Sequence, residues 1–237
     1  MLLCFGSAAA EVQGGATANA FIPLPALSRM AASDAKNWQT LGSPDARLVL
    51  TRVIASKDNS GLPFAIVDKV HARIHLFDAK GIPRGSAPAL LGAQAGDQST
   101  PGVGARPLSE IKTFERTTPA GRFSSEPGVN AAGDRVVWFD YNEGLAIHRA
   151  RPGKTFEKRL NLLARNDPQS SKDSWGCIVV PPEFYDTRIA PLLGRAPASV
   201  VYVLPETRSL SAAFAVSRPL AASDRDVPVR FVADKFL

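Results

Sequence analysis

Short apolar runs separated by turn residues fill the middle of the chain, and no other feature constrains its fold as strongly. In Arg73–Phe77 the apolar residues recur with a period near two, and the residues that follow have the composition of a turn. This pattern is typical of strands joined by hairpins. The predicted strands are Phe64–Asp68, Arg73–Phe77, 86–92, 135–139, 145–148, 177–180 and 200–204. We therefore predict a mostly β domain at residues 62–205.

Two segments carry the signals of short helices. Ser43 followed by Pro44 is typical of a helix start, because serine caps the first amides and proline suits the first helical position. We predict that this helix ends near Lys57, and that a second one runs from Pro182 to about Leu193, where a glycine follows. The apolar face predicted for the first helix consists of Leu48, Val49, Val53 and Ile54.

The segments between these elements are predicted to be loops, at residues 93–109, 124–133 and 149–173. The first is rich in Gly, Pro and Ser, and a loop this long in a compact domain is usually functional or mobile. The third is polar and basic. Outside the β domain, residues 21–61 are predicted to form an N-terminal arm with one short helix. Residues 206–237 are predicted to be a C-terminal extension with one short strand at 227–232.

Residues 1–20 have features of an export signal. The chain begins with the short apolar stretch MLLCFGSAAA, and residues 8–10 and 18–20 resemble signal-peptidase cleavage sites. A basic segment is missing before this stretch, since the first arginine is Arg29. We predict a truncated signal or leader and an exported, cell-envelope protein; the alternative is that this stretch is not a signal.

The net charge of the chain is +6, from 28 basic and 22 acidic residues. A charge of this sign favours acidic partners such as nucleic acid, anionic lipid or an anionic wall polymer. The basic residues are scattered, however, and no aromatic–basic RNA-binding motif is present, so nucleic-acid binding is not predicted. No apolar stretch of about 18 residues occurs, so no membrane span is predicted either.

A lone cysteine lies at the junction between a polar segment and an apolar strand. Cys177 and Cys4 are the two cysteines of the chain, and removal of a leader would leave Cys177 without a disulfide partner. Gly176 directly before it lets the backbone approach another group closely. A reactive thiol is often presented in this way, although a free cysteine is more often a small core residue.

One of the three histidines is placed to act with Cys177. His71 and His75 lie four residues apart, which in a strand is about 13 Å, too far to share a metal ion. We therefore predict solvated or edge histidines there, and no metal site. His148 ends a predicted strand, and the polar segment after it leads back to Cys177. If their strands are neighbours, the imidazole can take the thiol proton and the thiolate can attack a carbonyl.

These residues resemble the catalytic signature of the L,D-transpeptidase (YkuD-like) family, in which a histidine is followed by Ser-His-Gly-Cys. The matching residues here are His148, Ser174, Trp175, Gly176 and Cys177. Residues 118–123, Thr-Pro-Ala-Gly-Arg-Phe, are similar to the Thr-Pro-x-Gly-x-Phe segment that these domains carry upstream. Residues 70–81 also look like the opening strands of the family, so the resemblance covers about residues 62–205.

The resemblance implies a β-sandwich-like catalytic domain with a capping loop, in periplasmic or wall-facing enzymes that act on peptidoglycan stem peptides. Cys177 would be the nucleophile and His148 the base. Trp175, Gly176 and Cys177 would supply oxyanion-hole amides, and Ser174 would shape the turn. The thiolate would attack the carbonyl between an L-centre and a terminal D-residue, giving a thioester that an amine or water resolves. No cofactor is implied.

The chain departs from the family pattern in three ways. Trp175 replaces the signature histidine, and Val179 stands two residues after the cysteine, where the family usually has Arg or Asn. The interval from His148 to Ser174 is also several residues longer than is typical. Substrate recognition is therefore expected to differ from the family. The alternatives to a transpeptidase are an L,D-carboxypeptidase-type hydrolase and a non-catalytic wall-binding or scaffold protein on the same fold.

Overall fold

A computed structural model describes residues 42–214, so the predicted leader and the strand at 227–232 lie outside the described residues. The strands are β1 (Phe64–Asp68), β2 (Arg73–Phe77), β3 (Pro83–Pro88), β4 (Leu91–Gly92), β5 (Gly121–Val129), β6 (Arg135–Asp140), β7 (Leu145–Arg149), β8 (Lys172–Ser174), β9 (Ile178–Val180) and β10 (Ser199–Val203). Eight of them form one mixed sheet in the order β3-β2-β1-β10-β5-β6-β7-β9, and β4 pairs with β8. The mostly β fold is confirmed.

The helices are few and short. They are α1 (Pro44–Ser56), α2 (Phe156–Arg165), α3 (Pro182 to Leu192, with a π-helical turn at Tyr185–Ile189) and α4 (Leu210–Phe214). Single 3₁₀ turns lie at Val103–Ala105, Leu108–Glu110, Thr113–Glu115 and Pro168–Ser170. Within residues 42–214, no helix is long and apolar enough to cross a membrane.

The core lies on both faces of the sheet, and the central strands β1 and β10 are therefore buried throughout. On one face, α3 packs through Tyr185 and Ile189 against the largest apolar cluster. On the other face, α1 packs against a second cluster that includes Phe64 and Tyr202. The same face of the sheet continues over β5, β6, β7 and β9.

The first helix begins as predicted but buries a different face. The Ser43 hydroxyl accepts a hydrogen bond from the Ala46 amide at 3.1 Å, and the helix ends at Ser56. Its buried residues are Ala46, Val49, Leu50 and Val53. The prediction was wrong for Leu48 and Ile54, which are 41% and 47% exposed. Positions 46, 49, 50 and 53 follow the three-to-four spacing of one helical face, and the sheet selects that stripe.

Three loop or strand predictions were wrong in their extent. Residues 124–133 were predicted to be a loop, but β5 continues to Val129, because it pairs with β10 and then with β6. The predicted strand 86–92 is divided between β3 and β4, and β4 leaves the main sheet to pair with β8. The polar segment 149–173 contains α2, whose one buried residue is Leu163.

A buried ion pair fastens the long loop between β4 and β5. The Lys69 ammonium is fully buried and lies 2.8 Å from Asp97 Oδ1 and 2.9 Å from the carbonyl oxygen of Thr118. Asp97 in turn accepts the backbone amides of Glu206 and Thr207 at 2.8 Å each. One lysine therefore ties the loop, the start of β5 and the segment after β10 together.

The two histidines near the first hairpin differ in environment. His71 Nδ1 lies 3.0 Å from Asp68 Oδ2, and its side chain is 55% exposed. His75 is buried, and β2 is an inner strand between β1 and β3, so the prediction of a solvated or edge residue was wrong there. Burial lowers the pKa of His75 to about 3. No group of three or more His, Cys, Asp or Glu able to hold a metal occurs within the described part of the chain.

Replacing His75 with Gln should make the protein less sensitive to acid. The folded state keeps His75 neutral down to about pH 3, whereas the unfolded chain takes up the proton near the ordinary pKa of about 6.5. As the pH is lowered from 6.5, this residue should therefore decrease the free energy of unfolding by about 1.4 kcal/mol per pH unit. Urea unfolding between pH 7 and pH 4 measures the slope. His71→Gln is the exposed control, and an unchanged slope in His75→Gln would contradict the assignment.

Candidate active site

Two parallel strands bring His148 and Cys177 to the same face of the sheet. β7 and β9 pair with Ile147 opposite Ile178 and His148 opposite Val179. Ile147 and Ile178 point into the main core. Because side chains alternate along a strand, His148, Val179 and Cys177 point to the other face. The Cα atoms of His148 and Cys177 are then roughly 8 Å apart by strand spacing and rise, a separation that the two side chains can bridge.

The thiol of Cys177 is nearly buried and is held by the turn between β6 and β7. The residue is 7% exposed and makes no disulfide. Its Sγ lies 3.8 Å from the carbonyl oxygen of Gly144, within range for a thiol that donates a weak hydrogen bond. The thiolate is the nucleophilic form of a cysteine, so a base that takes the thiol proton would activate this sulfur.

The imidazole of His148 is oriented and kept neutral by its surroundings. His148 Nδ1 lies 2.8 Å from the carbonyl oxygen of Arg149, which can only accept a hydrogen bond, so Nδ1 carries the proton. Nε2 is then the unprotonated nitrogen. Burial, together with the positive charges of Arg151 and Arg159, lowers the pKa of His148 to about 4. At neutral pH the ring is therefore an uncharged base.

Two guanidinium groups border the His148 side of the site. Arg151, just after β7, pairs with Asp134 at 3.0 Å, and its side chain is 14% exposed. Arg159, on α2, pairs with Asp173 at 3.2 Å and is 18% exposed. Burial lowers the pKa of Arg151, whereas Asp134 and Cys177 act to raise it. A negative charge on the sulfur would therefore be stabilised by this side of the site.

The backbone before the nucleophile is fixed by a close approach to the start of β5. Gly176 has φ +117°, and a Cβ there would lie 2.8 Å from the carbonyl oxygen of Thr117, so only glycine fits. The Thr118 hydroxyl donates to the Gly176 carbonyl oxygen at 2.9 Å. The Ser174 hydroxyl accepts the Gly176 amide at 3.1 Å and donates to the Cys177 carbonyl oxygen at 2.5 Å. This network sets the direction of the backbone at the sulfur.

Trp175 anchors the long loop. The guanidinium of Arg116 lies 3.4 Å above the centre of the Trp175 ring, a cation–π contact, and its Nη2 donates to the Ile111 carbonyl oxygen at 3.1 Å. The same loop contacts the β6–β7 turn, where Glu143 Oε2 accepts the Gly104 amide at 3.0 Å. The loop is thus held on both sides of the nucleophile.

Val179 faces a small apolar cluster. It is fully buried with Leu90, Ala150 and Leu163, the last contributed by α2. Leu90 and Val179 also exchange two backbone hydrogen bonds, at 2.8 and 2.9 Å, which protect the outer edge of β9. The interval between His148 and Ser174 therefore provides the helix that covers Val179.

Sequence reasoning overlooked several residues around the predicted pair. Thr118 belongs to the Thr-Pro-x-Gly-x-Phe segment, so its presence in that motif was a usable signal. Arg151 and Arg159 lie in a segment that was treated as a polar loop, and Arg116 lies in another loop. Their roles follow from long-range packing, which local sequence patterns do not reveal.

Comparison with known proteins finds similarity to solved structures. No family model matches the chain, and no curated protein is significantly similar to it. An L,D-transpeptidase (residues 123–326) from Xylanimonas cellulosilytica is 15% identical, covers 60% of each chain and has a TM-score of 0.36. The catalytic domain of the E. faecium L,D-transpeptidase is 18% identical over 60% of this chain and 96% of that one, with a TM-score of 0.31.

The helical cell shape determining protein Pgp2 from Campylobacter jejuni is also similar, at 12% identity over 62% of this chain and 49% of that one, with a TM-score of 0.39. This chain matches less than two thirds of the length of the Xylanimonas and Campylobacter chains. Several structures that resemble this protein are thus L,D-transpeptidases. The similarity is one of structure at low identity, and the chemistry of the site rests on its own residues.

Proposed function

We propose that the protein is a cysteine-dependent acyltransferase in which Cys177 is the nucleophile and His148 the base. The observation that carries the proposal is the register of β7 and β9, which pairs His148 with Val179, two residues after Cys177. Alternation of side chains along the strand then brings His148 and Cys177 to one face of the sheet. The bond from His148 Nδ1 to the Arg149 carbonyl supports it, because the tautomer it selects leaves Nε2 able to accept the thiol proton.

The reaction begins with proton transfer from Cys177 Sγ to His148 Nε2 as the sulfur attacks an amide carbonyl. A resting ion pair is disfavoured, because the pKa of His148 is about 4 and that of an ordinary thiol is about 8.5. Collapse of the tetrahedral intermediate breaks the C–N bond, and the leaving amine takes the proton from His148. The acyl group remains on Cys177 as a thioester, and an amine or water then displaces the sulfur, which recovers its proton.

Backbone amides around the sulfur are the proposed oxyanion donors. The amide of Gly176 is bonded to the Ser174 hydroxyl at 3.1 Å. It would have to exchange this bond for one to the oxyanion as the negative charge develops. Before substrate binds, Ser174 would hold the turn through its hydrogen bonds, and Trp175 would keep the turn in place through its contact with Arg116.

The proposed substrates are peptidoglycan stem peptides, with cleavage between an L-centre and a terminal D-residue. His148, the Ser-Trp-Gly-Cys segment and the Thr-Pro-x-Gly-x-Phe segment support this proposal, because they occur in the family order and meet around one thiol. Such a substrate requires an exported, periplasmic or wall-facing protein, and the net charge of +6 suits an anionic wall polymer. If water resolves the thioester the outcome is hydrolysis, and a scaffold protein would form no thioester.

Replacing Cys177 with Ala should abolish covalent capture of a carbapenem, because no other group at the site can form the thioester. Intact-mass spectrometry after incubation measures the adduct, and thermal unfolding checks that the fold is kept. Cys4→Ala is the matched control and should still be acylated. Persistence of the adduct in Cys177→Ala would remove Cys177 as the nucleophile.

Acylation should depend on a group with a pKa of about 4, because His148 acts as a base only when neutral. The acylation rate should therefore stay near its plateau from pH 7 down to about pH 5 and fall below pH 4. His148→Gln should slow acylation by about 10²- to 10⁴-fold. Stopped-flow pH jumps measure these rates before acid unfolding begins. An acylation rate that already falls near pH 6.5, or an unchanged rate in His148→Gln, would contradict the assignment.

A further inference from the structure

An aromatic groove lies on the face of the sheet that carries Cys177 and His148. Its volume is about 460 Å³. The residues around it come from β5, β6 and the turn that follows β6. They are Ser124, Glu126, Pro127, Gly128, Val129, Trp138, Phe139 and Tyr141. None of these residues takes part in the proposed acyl transfer.

The strand register places the groove in line with the nucleophile. Ala146 lies opposite Trp138, and Trp138 lies opposite Glu126. Cys177 directly precedes Ile178, the partner of Ile147, and so extends the same row by one strand. Only the small side chain of Ala146 therefore stands between Cys177 and Trp138 in this row. At about 4.8 Å per strand, Trp138 is about 10 Å from Cys177, and Glu126 is about 14 Å away.

The groove presents ring surfaces beside a carboxylate. The Trp138 and Tyr141 rings are 5.2 Å apart in an edge-to-face arrangement, and Tyr141 is 51% exposed. A Cβ on Gly128 would lie 2.6 Å from Trp138 Cδ1, so glycine lets the indole lie against β5. Glu126 is exposed at the far end. Flat aromatic surface next to hydrogen-bonding groups suits a ligand with both apolar faces and hydroxyl edges, such as a sugar ring.

We propose that this groove binds a sugar ring of the glycan strand to which the stem peptide is attached. The inference rests on the proposed function. In a stem tetrapeptide the attacked carbonyl belongs to the third residue, and the sugar precedes the first. Three extended residues span about 10 Å and the linkage to the sugar adds a few more, so the sugar can reach Trp138 and Glu126, about 10 and 14 Å from Cys177. A donor that lies across β7 and β6 therefore brings its sugar onto Trp138 and Tyr141, with the Glu126 carboxylate accepting hydroxyl hydrogen bonds.

The charges on the two sides of the site agree with this direction of the donor. Arg159 pairs with Asp173 on β8, whereas the groove is formed by β5, β6 and the turn after β6. The free carboxylate of a terminal D-residue, just beyond the attacked carbonyl, is attracted to the side of Arg159. The rest of the peptide then leads toward the groove.

Binding of a disaccharide of N-acetylated amino sugars tests the groove without any acyl transfer. The NMR signal of the Trp138 indole N–H, assigned by its loss in Trp138→Phe, should shift on titration and saturate. Tyr141→Ala and Glu126→Gln, both surface changes, should weaken binding about three- to tenfold. Phe114→Ala is the matched control, because Phe114 is a 69% exposed aromatic residue outside the groove. An unmoved Trp138 signal would overturn the proposal. The proposal would also fail if the signal shifted with lysine amide, a control ligand that has no sugar ring, and did not shift with the disaccharide.

Acylation kinetics test the link to the proposed function. Wild-type protein should react about three- to tenfold faster, in kcat/KM, with a disaccharide-linked tetrapeptide than with the bare tetrapeptide. Tyr141→Ala should remove this preference, so that the ratio of the two kcat/KM values falls to about one. Equal rates for both donors in the wild type would contradict the groove assignment. If no donor acylates Cys177, the proposed function fails, and the disaccharide titration still decides whether the groove binds sugar.

Discussion

The pairing of two short parallel strands, β7 and β9, is the constraint on which the rest of the site depends. A shift of one residue in this register would turn either His148 or Cys177 into the main core. The apolar partners Ile147 and Ile178 hold the register by packing on the face opposite the site. The proposed chemistry therefore depends on which side chains of β7 and β9 pack into the core and which point to the opposite face of the sheet.

A second set of contacts decides how the thiol is presented. Gly176 allows the close approach of the backbone to Thr117. The Thr118 hydroxyl donates a hydrogen bond to the Gly176 carbonyl oxygen, and the buried Lys69 ammonium donates one to the Thr118 carbonyl oxygen. The buried charge of Lys69 thus fixes, through Thr118, the backbone next to the sulfur. The unusual Val179 fits the same picture, because α2 supplies Leu163 to cover it and Arg159 to border His148. Val179 and α2 thus form one packed unit beside His148.

The strands and the residues of the candidate pair were predictable where local pattern and tertiary structure agree. Alternating residues in Arg73–Phe77 and the Ser43–Pro44 helix start needed no long-range information. β5 was not predicted as a strand, and its part after Phe123 was predicted to be a loop, because its Pro and Gly are tolerated only through pairing with β6 and the indole of Trp138. The burial of His75 and the basic border of His148 depend on neighbours distant in sequence, which composition and spacing do not identify.

Intact-mass spectrometry of rapidly quenched protein with a stem tetrapeptide is the decisive test of Cys177 as an acyl-transfer nucleophile. We predict a mass gain equal to the tetrapeptide without its terminal D-residue, and peptide mapping should place that acyl group on Cys177. Release of the terminal residue without an adduct on Cys177, or an adduct on another residue, would contradict this prediction.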